Sequence, residues 1–80
     1  MPDQDLVAAV VKALQDAAPT VERPGNHDQS LFDLGLDSLD HSAMLLALEE
    51  AYRIDIPDED VDGLKSVNQI VAYLEQRIGR

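Results

Sequence analysis

Residues 37–52 read Asp37-Ser38-Leu39-Asp40-His41-Ser42-Ala43-Met44-Leu45-Leu46-Ala47-Leu48-Glu49-Glu50-Ala51-Tyr52. The stretch has no glycine or proline, and it opens on an aspartate, a side chain that accepts hydrogen bonds from the free N–H groups of a helix start. It therefore predicts a helix with Asp37 as its N-cap, running to about Tyr52. At 100° per residue, Met44, Leu45, Ala47, Leu48, Ala51 and Tyr52 gather on one side. Leu39, Ala43 and Leu46 form a second stripe, at spacings of four and three. The first stripe reads as core. The second reads as an exposed contact strip, because a domain this small seldom surrounds one helix on all sides.

Working outward, Leu6, Val7, Val10, Val11, Leu14 and Ala17 recur at helical spacing and predict a first helix over about 4–17. Asp3 or Asp5 suits its positive N-terminal end, and Pro19 stops it. Residues 18–37 hold Pro19, Pro24-Gly25-Asn26 and Gly35, and read as a loop. Loops of about 20 residues are uncommon in compact domains. Leu31, Phe32, Leu34 and Leu36 look like side chains that pin this one to a core. After the second helix, Ile54-Asp55-Ile56-Pro57 breaks the pattern, since a residue before proline avoids the helical region. Residues 58–63 read as a short helical turn ended by Gly63. Ser66 and Gln69 then fit a capping box, and Val67, Ile70, Val71, Leu74 and Ile78 follow at helical spacing. The last helix should run to about Ile78, with Arg77 suiting its C-terminal end. The expected fold is all-α: one domain over residues 1–80, a small bundle of three main helices plus one short helix, with a long loop between helices one and two.

The chain has 80 residues and no cysteine. A domain of this size buries only about 60% of its unfolded surface, which leaves little room for a deep active site. Without thiols, neither a disulfide framework nor a thiolate metal site can hold it together. The apolar runs are far shorter than the about 20 residues that span a bilayer, and the acidic Met1-Pro2-Asp3-Gln4-Asp5 is unlike a signal peptide. The reading is a cytoplasmic monomer. Its net charge of −10 is not evenly spread. Residues 28–62 hold eleven acids and one base, Arg53, so the whole imbalance lies there. A field of that sign repels nucleic acid and anionic membrane and steers basic protein surfaces toward it.

Three motifs compete for the chemistry. Asp58-Glu59-Asp60-Val61-Asp62-Gly63 matches the opening of an EF-hand-like calcium loop over 58–69. Such a loop needs a bidentate glutamate at its twelfth position, where Gln69 stands, and an apolar residue at its eighth, where Lys65 stands. Weak divalent binding at Asp58, Asp60 and Asp62 fits the sequence better than a tight site. Ser38 and His41, three apart on a helix, could face each other as a nucleophile and base, but no oxyanion hole or pocket accompanies them. His41 therefore reads as a surface residue beside a functional serine, and no catalytic residue is assigned. The third motif is Leu34-Gly35-Leu36-Asp37-Ser38-Leu39-Asp40, with an acidic amphipathic helix behind it.

That third segment, extended as Leu31-Phe32-Asp33-Leu34-Gly35-Leu36-Asp37-Ser38-Leu39, resembles the attachment site of the acyl carrier protein family. Ala47-Leu48-Glu49-Glu50-Ala51-Tyr52 and Ile54-Asp55-Ile56-Pro57-Asp58-Glu59 resemble the family's landmarks downstream, and the likeness runs in order from about Leu31 to Leu74. The resemblance implies that Ser38, flanked by Asp37 and Leu39, carries 4′-phosphopantetheine derived from coenzyme A. A separate phosphopantetheinyl transferase with Mg²⁺ would attach it, so the chain is a carrier and not an enzyme. The group would supply the reactive thiol that a cysteine-free chain lacks. The implied function is a stand-alone carrier of acyl thioesters, in fatty acid biosynthesis first and in a polyketide, lipid-modifying or aminoacyl-transfer pathway second. The implied partners are acyl-loading and acyl-processing enzymes with basic docking patches, met by Asp37, Leu39, Asp40, Leu46, Glu49 and Glu50. The chain departs from fatty-acid carriers at His41, at Ser42, where they tend to be apolar, and at Ala43, where they tend to be acidic.

Overall fold

A computed structural model describes residues 4–79. Four α-helices follow one another: α1 Gln4–Ala17, α2 Ser38–Tyr52, α3 Asp58–Val61 and α4 Val67–Ile78, with a 3-10 turn at Leu31–Leu34 before α2. The fold class and the boundaries of the three long helices are those the sequence predicts. Asp3, expected to favour the start of α1, lies outside the described residues.

Local chemistry sets most of the ends. Asp37 sits in extended backbone, and its Oδ1 accepts the Asp40 N–H at 2.8 Å. Ser66 does the same for α4, its Oγ accepting the Gln69 N–H at 3.2 Å. The capping box is displaced by one residue, however. Gln69 Oε1 accepts from the Lys65 N–H at 2.9 Å rather than from Ser66. The stop of α2 also differs in cause. Arg53 turns left-handed (φ 55°, ψ 49°), and the N–H groups of Arg53 and Ile54 both point to the Glu49 carbonyl, ahead of any influence from Pro57. The short helix expected over 58–63 ends two residues ahead of Gly63. α3 ends at Val61 with Asp62 still right-handed, and Gly63 simply donates its N–H to the Asp60 carbonyl at 3.1 Å.

Each long helix gives one face to a common core, and α1 packs against both α2 and α4. Leu6, Val10 and Leu14 come from α1, Met44 and Leu48 from α2, and Val67, Ile70, Val71 and Leu74 from α4, all at most 2% exposed. The long loop joins the core through Ala18, Val21, Leu31 and Leu36, with Leu34 packed at its edge. Phe32 is the exception to the expected pinning, since it stays 37% exposed. Polar contacts complete the loop's attachment. The Asn68 N–H donates to the His27 carbonyl at 3.0 Å, and Asn68 Nδ2 donates to Asp28 Oδ1 at 2.7 Å.

On α2 the core stripe is rotated from the expected one. His41, Met44, Leu45 and Leu48 are buried, Tyr52 is half-buried, and Ala47 and Ala51 are exposed. The two alanines line an open groove of about 280 Å³ between α1 and α2, with Ala9, Lys12, Ala13 and Asp16 opposite. Four of the seven residues that line it are alanines, whose methyl groups are too short to close the gap.

The short α3 buries none of its residues. It is tied to α4 by charge and hydrogen bonding: Tyr73 O–H donates to Asp60 Oδ2 at 2.7 Å, and an Arg77 guanidinium nitrogen lies 3.0 Å from the same oxygen. The guanidinium also sits 5.0 Å from the centre of the Tyr73 ring. Burial, and then the Asp60 carboxylate beside it, hold the Tyr73 hydroxyl above the usual tyrosine range, with Arg77 pulling the other way.

Two predictions follow from this packing. Leu48→Ala should cost about 2–5 kcal/mol, whereas Leu46→Ala, at a 54% exposed position, should stay within about 0.5 kcal/mol, as read by urea unfolding. The second concerns alkaline pH. With the folded pKa of Tyr73 raised, its contribution is fully present below the unfolded value of about 10 and is lost as pH rises through the folded value. Urea midpoints from pH 9 to 11.5 should therefore fall more steeply for the wild type than for Tyr73→Phe. Equal slopes would show that the contact adds nothing.

Candidate functional site

Two features of the backbone set up the start of α2. Gly35 is left-handed at φ 101°, and its N–H returns to the carbonyls of Leu31 and Phe32, which closes the 3-10 turn. A Cβ there would meet no atom within 4 Å, so the constraint is the backbone angle, not space. The chain then runs through buried Leu36 to the Asp37 cap, and α2 begins at Ser38. Gly35, Asp37, Ser38 and Leu39 are all exposed. The Ser38 hydroxyl therefore stands in the first turn of a capped helix, on open surface.

The neighbours of Ser38 do not activate it. His41, expected at the surface, is 3% exposed. Its Nε2 lies 2.7 Å from the Leu64 carbonyl oxygen, so that nitrogen carries the hydrogen and donates it. The Phe32 ring tilts at 55° over the imidazole, 5.0 Å between centres. His41 is buried while Ser38 is exposed, and no hydrogen bond joins the two side chains, so the serine–histidine hydrolase reading lacks its nucleophile–base contact. A spacing of three, four and seven links His41 to Met44, Leu45 and Leu48, and that register is the signal that could have placed it in the core.

The second stripe of α2 is exposed as expected. Leu39 is 82% exposed and Leu46 54%, with Ala43 also at the surface. Asp37 and Glu50 are exposed, and Asp40 and Glu49 are half-buried, so four carboxylates share the helix that carries the stripe. The residues named from sequence thus fall on one element, around and beyond Ser38.

The calcium-loop residues do not assemble. Asp58, Glu59 and Asp60 form a helical turn where an EF-hand would have an open loop, and Asp60 is taken up by Tyr73 and Arg77. Among the described residues no group of three or more His, Asp or Glu side chains is close enough to hold a metal ion. Tyr73 and Arg77, as the partners of Asp60, carry no local signal in the sequence.

A family model described as the phosphopantetheine attachment site matches residues 4–74. The chain belongs to this family, that of the acyl carrier proteins. It is 47% identical over 45 residues to the acyl carrier protein of Bdellovibrio bacteriovorus, a match covering 56% of this chain and 58% of that protein. It is 40% identical over 70 residues to the mitochondrial acyl carrier protein of Saccharomyces cerevisiae, covering 85% of this chain and 56% of that one. These matches span little more than half the length of either relative. Among solved structures it resembles butyryl-ACP from the actinorhodin polyketide synthase of Streptomyces coelicolor, with a TM-score of 0.70 at 22% identity over 95% of this chain and 88% of that one. That likeness bears on the fold.

The group carried by the family is 4′-phosphopantetheine. The start of α2 fits such a group. A phosphodiester needs a hydroxyl that another protein can reach, with nothing bulky over it, and the open ground around Gly35, Asp37 and Ser38 meets that need. Once bound, the group supplies a thiol on a long flexible arm, which can hold a thioester. No helix of the described residues is long and apolar enough to cross a membrane.

The cap itself can be tested. Asp37→Ala removes the acceptor for the Asp40 N–H and should cost about 0.5–2 kcal/mol by urea unfolding. Asp37→Asn, which keeps an acceptor oxygen, should recover most of that loss. An alanine variant as stable as the wild type would mean that α2 does not depend on this cap.

Proposed function

We propose that Ser38 is the residue that carries 4′-phosphopantetheine, and that the chain is a carrier holding acyl groups as thioesters for delivery to partner enzymes. One observation supports the choice above others: Ser38 is exposed in the first turn of α2, while His41 is buried and makes its hydrogen bond to the Leu64 carbonyl rather than to the serine. The serine is then a passive acceptor. A phosphopantetheinyl transferase using coenzyme A and Mg²⁺ would supply the base, and the Ser38 oxygen would take the place of the nucleotide oxygen on phosphorus.

Docking follows from the surface of α2. Leu39 and Leu46 offer apolar contacts, and Asp37, Asp40, Glu49 and Glu50 frame them with negative charge. Enzymes with basic patches would be steered to this face quickly and would leave it readily, as a carrier serving several partners requires. The chain would work as a single-domain monomer in the cytoplasm, apart from nucleic acid and membrane. Fatty acid biosynthesis is the first pathway proposed. A specialised polyketide, lipid-modifying or aminoacyl-transfer pathway is favoured by one feature: Ser42 and Ala43 are exposed and neutral, so α2 carries less charge just beyond Ser38 than its far half does.

Incubation with coenzyme A, Mg²⁺ and a broad-specificity transferase should add one phosphopantetheinyl unit to the intact mass. Ser38→Ala should abolish the increase while its helical circular dichroism is unchanged. A modified Ser38→Ala protein would move the attachment elsewhere. In the same assay, Leu46→Ala should lower kcat/KM by about tenfold, the scale of losing one apolar interface contact. Glu49→Lys should slow association most at low ionic strength, since salt screens the steering. Rates that ignore both changes would place docking on another face.

A further inference from the structure

Among the described residues, His41 is the only ionisable side chain buried in the core. An imidazole at that depth costs more to desolvate than a leucine of similar size would. What it does there is specific. It reaches out from the end of the first turn of α2 and donates to the carbonyl of Leu64, in the connection between α3 and α4. The next carbonyl in the same connection, that of Lys65, accepts the Leu31 N–H at 2.7 Å. Leu31 precedes Ser38 and His41 follows it, so two consecutive carbonyls hold both flanks of the segment that presents the serine. The Phe32 ring, from the 3-10 turn, closes over the imidazole from outside.

A helix start is ordinarily the part that frays, because its first N–H groups lack partners within the helix. The Asp37 cap satisfies one of them, the Asp40 N–H. The His41 contact adds a tie from this turn to the connection between α3 and α4. The His41 N–H closes the first α-helical hydrogen bond, to the Asp37 carbonyl at 2.9 Å, so a side chain anchored at His41 anchors the turn holding Ser38.

We propose that His41 is a positioning residue for the modification of Ser38, acting through its hydrogen bond to the Leu64 carbonyl. The inference rests on Ser38 as the attachment residue. His41 takes no proton from the serine and touches neither coenzyme A nor the transferred group. It narrows the orientations in which the hydroxyl meets the transferase.

Two variants test this. His41→Leu keeps the volume and removes the donor, while His41→Gln keeps an N–H donor at similar reach. Modification kinetics, amide hydrogen exchange and thermal melting are measured on each. With the donor gone, kcat for modification should fall about tenfold with KM within about twofold, because a misplaced hydroxyl slows the reaction without weakening docking. Exchange at the His41 and Ser42 positions should quicken about tenfold while exchange at Val71 and Leu74 in α4 is unchanged. His41→Gln should recover kcat and protection to within about threefold of the wild type. The proposal is overturned if His41→Leu is modified at the wild-type rate, if its defect lies in KM, or if His41→Gln is as slow as His41→Leu. Wild-type protein that never gains the mass, or Ser38→Ala that still does, overturns the Ser38 reading and this inference with it. Normal wild-type modification with indifferent His41 variants overturns this inference alone.

Discussion

Met44 and Leu48 meet Leu6 and Leu14 of α1 and Ile70 and Leu74 of α4 in a single core, and every one of these side chains is at most 2% exposed. The burial of one face of α2 is the contact on which the other features depend. It fixes the rotation of α2 about its own axis. With that rotation set, Ser38 and Leu39 must face water, His41 must face inward, and Leu46 must lie at the surface. The cap at Asp37 and the left-handed Arg53 decide where the helix begins and ends, but they could not choose which side it turns outward.

The same constraint makes α2 a helix of two purposes. A bundle with so small a core cannot cover a second apolar stripe, so Leu39 and Leu46 remain exposed at a cost in solubility that the surrounding carboxylates offset. The charge has its own cost, since like charges crowded into residues 28–62 repel one another. Among the described residues, one ion pair involves that acidic stretch, Asp60 with Arg77 from outside it. The acidic surface is left largely unneutralised.

Much of this could be read from the sequence where one residue type carries an unambiguous signal. α1 and α4 have apolar side chains on one face only, so their periodicity gave both their extent and their orientation. Asp37 and Ser66 are strong helix starters followed by apolar repeats, and both are caps. The errors fall where the signal is weak or distant. Alanine at 47 and 51 has too little side chain to report its surroundings, and a histidine in a core register looks polar until its acceptor is known. That acceptor, the Leu64 carbonyl, is a backbone atom and leaves no trace in residue identity. Gly63 has the composition of a cap but not the backbone angle. The Asp60, Tyr73 and Arg77 contact joins residues brought together only when α3 folds back on α4.

The manner in which α3 is held has a thermodynamic consequence. Ile56 and Leu64 on either side of it are buried, whereas its own four residues are not. Of the four, Val61 alone packs against the core, so detaching them exposes little apolar surface and carries a small heat-capacity change. On physical grounds its opening belongs toward the low end of the range of local stabilities within one molecule. Denaturant, which acts in proportion to the surface exposed, has little leverage on such an event, while ionic strength acts on it directly. The order of this segment should therefore depend on the salt around it more than the core beneath does.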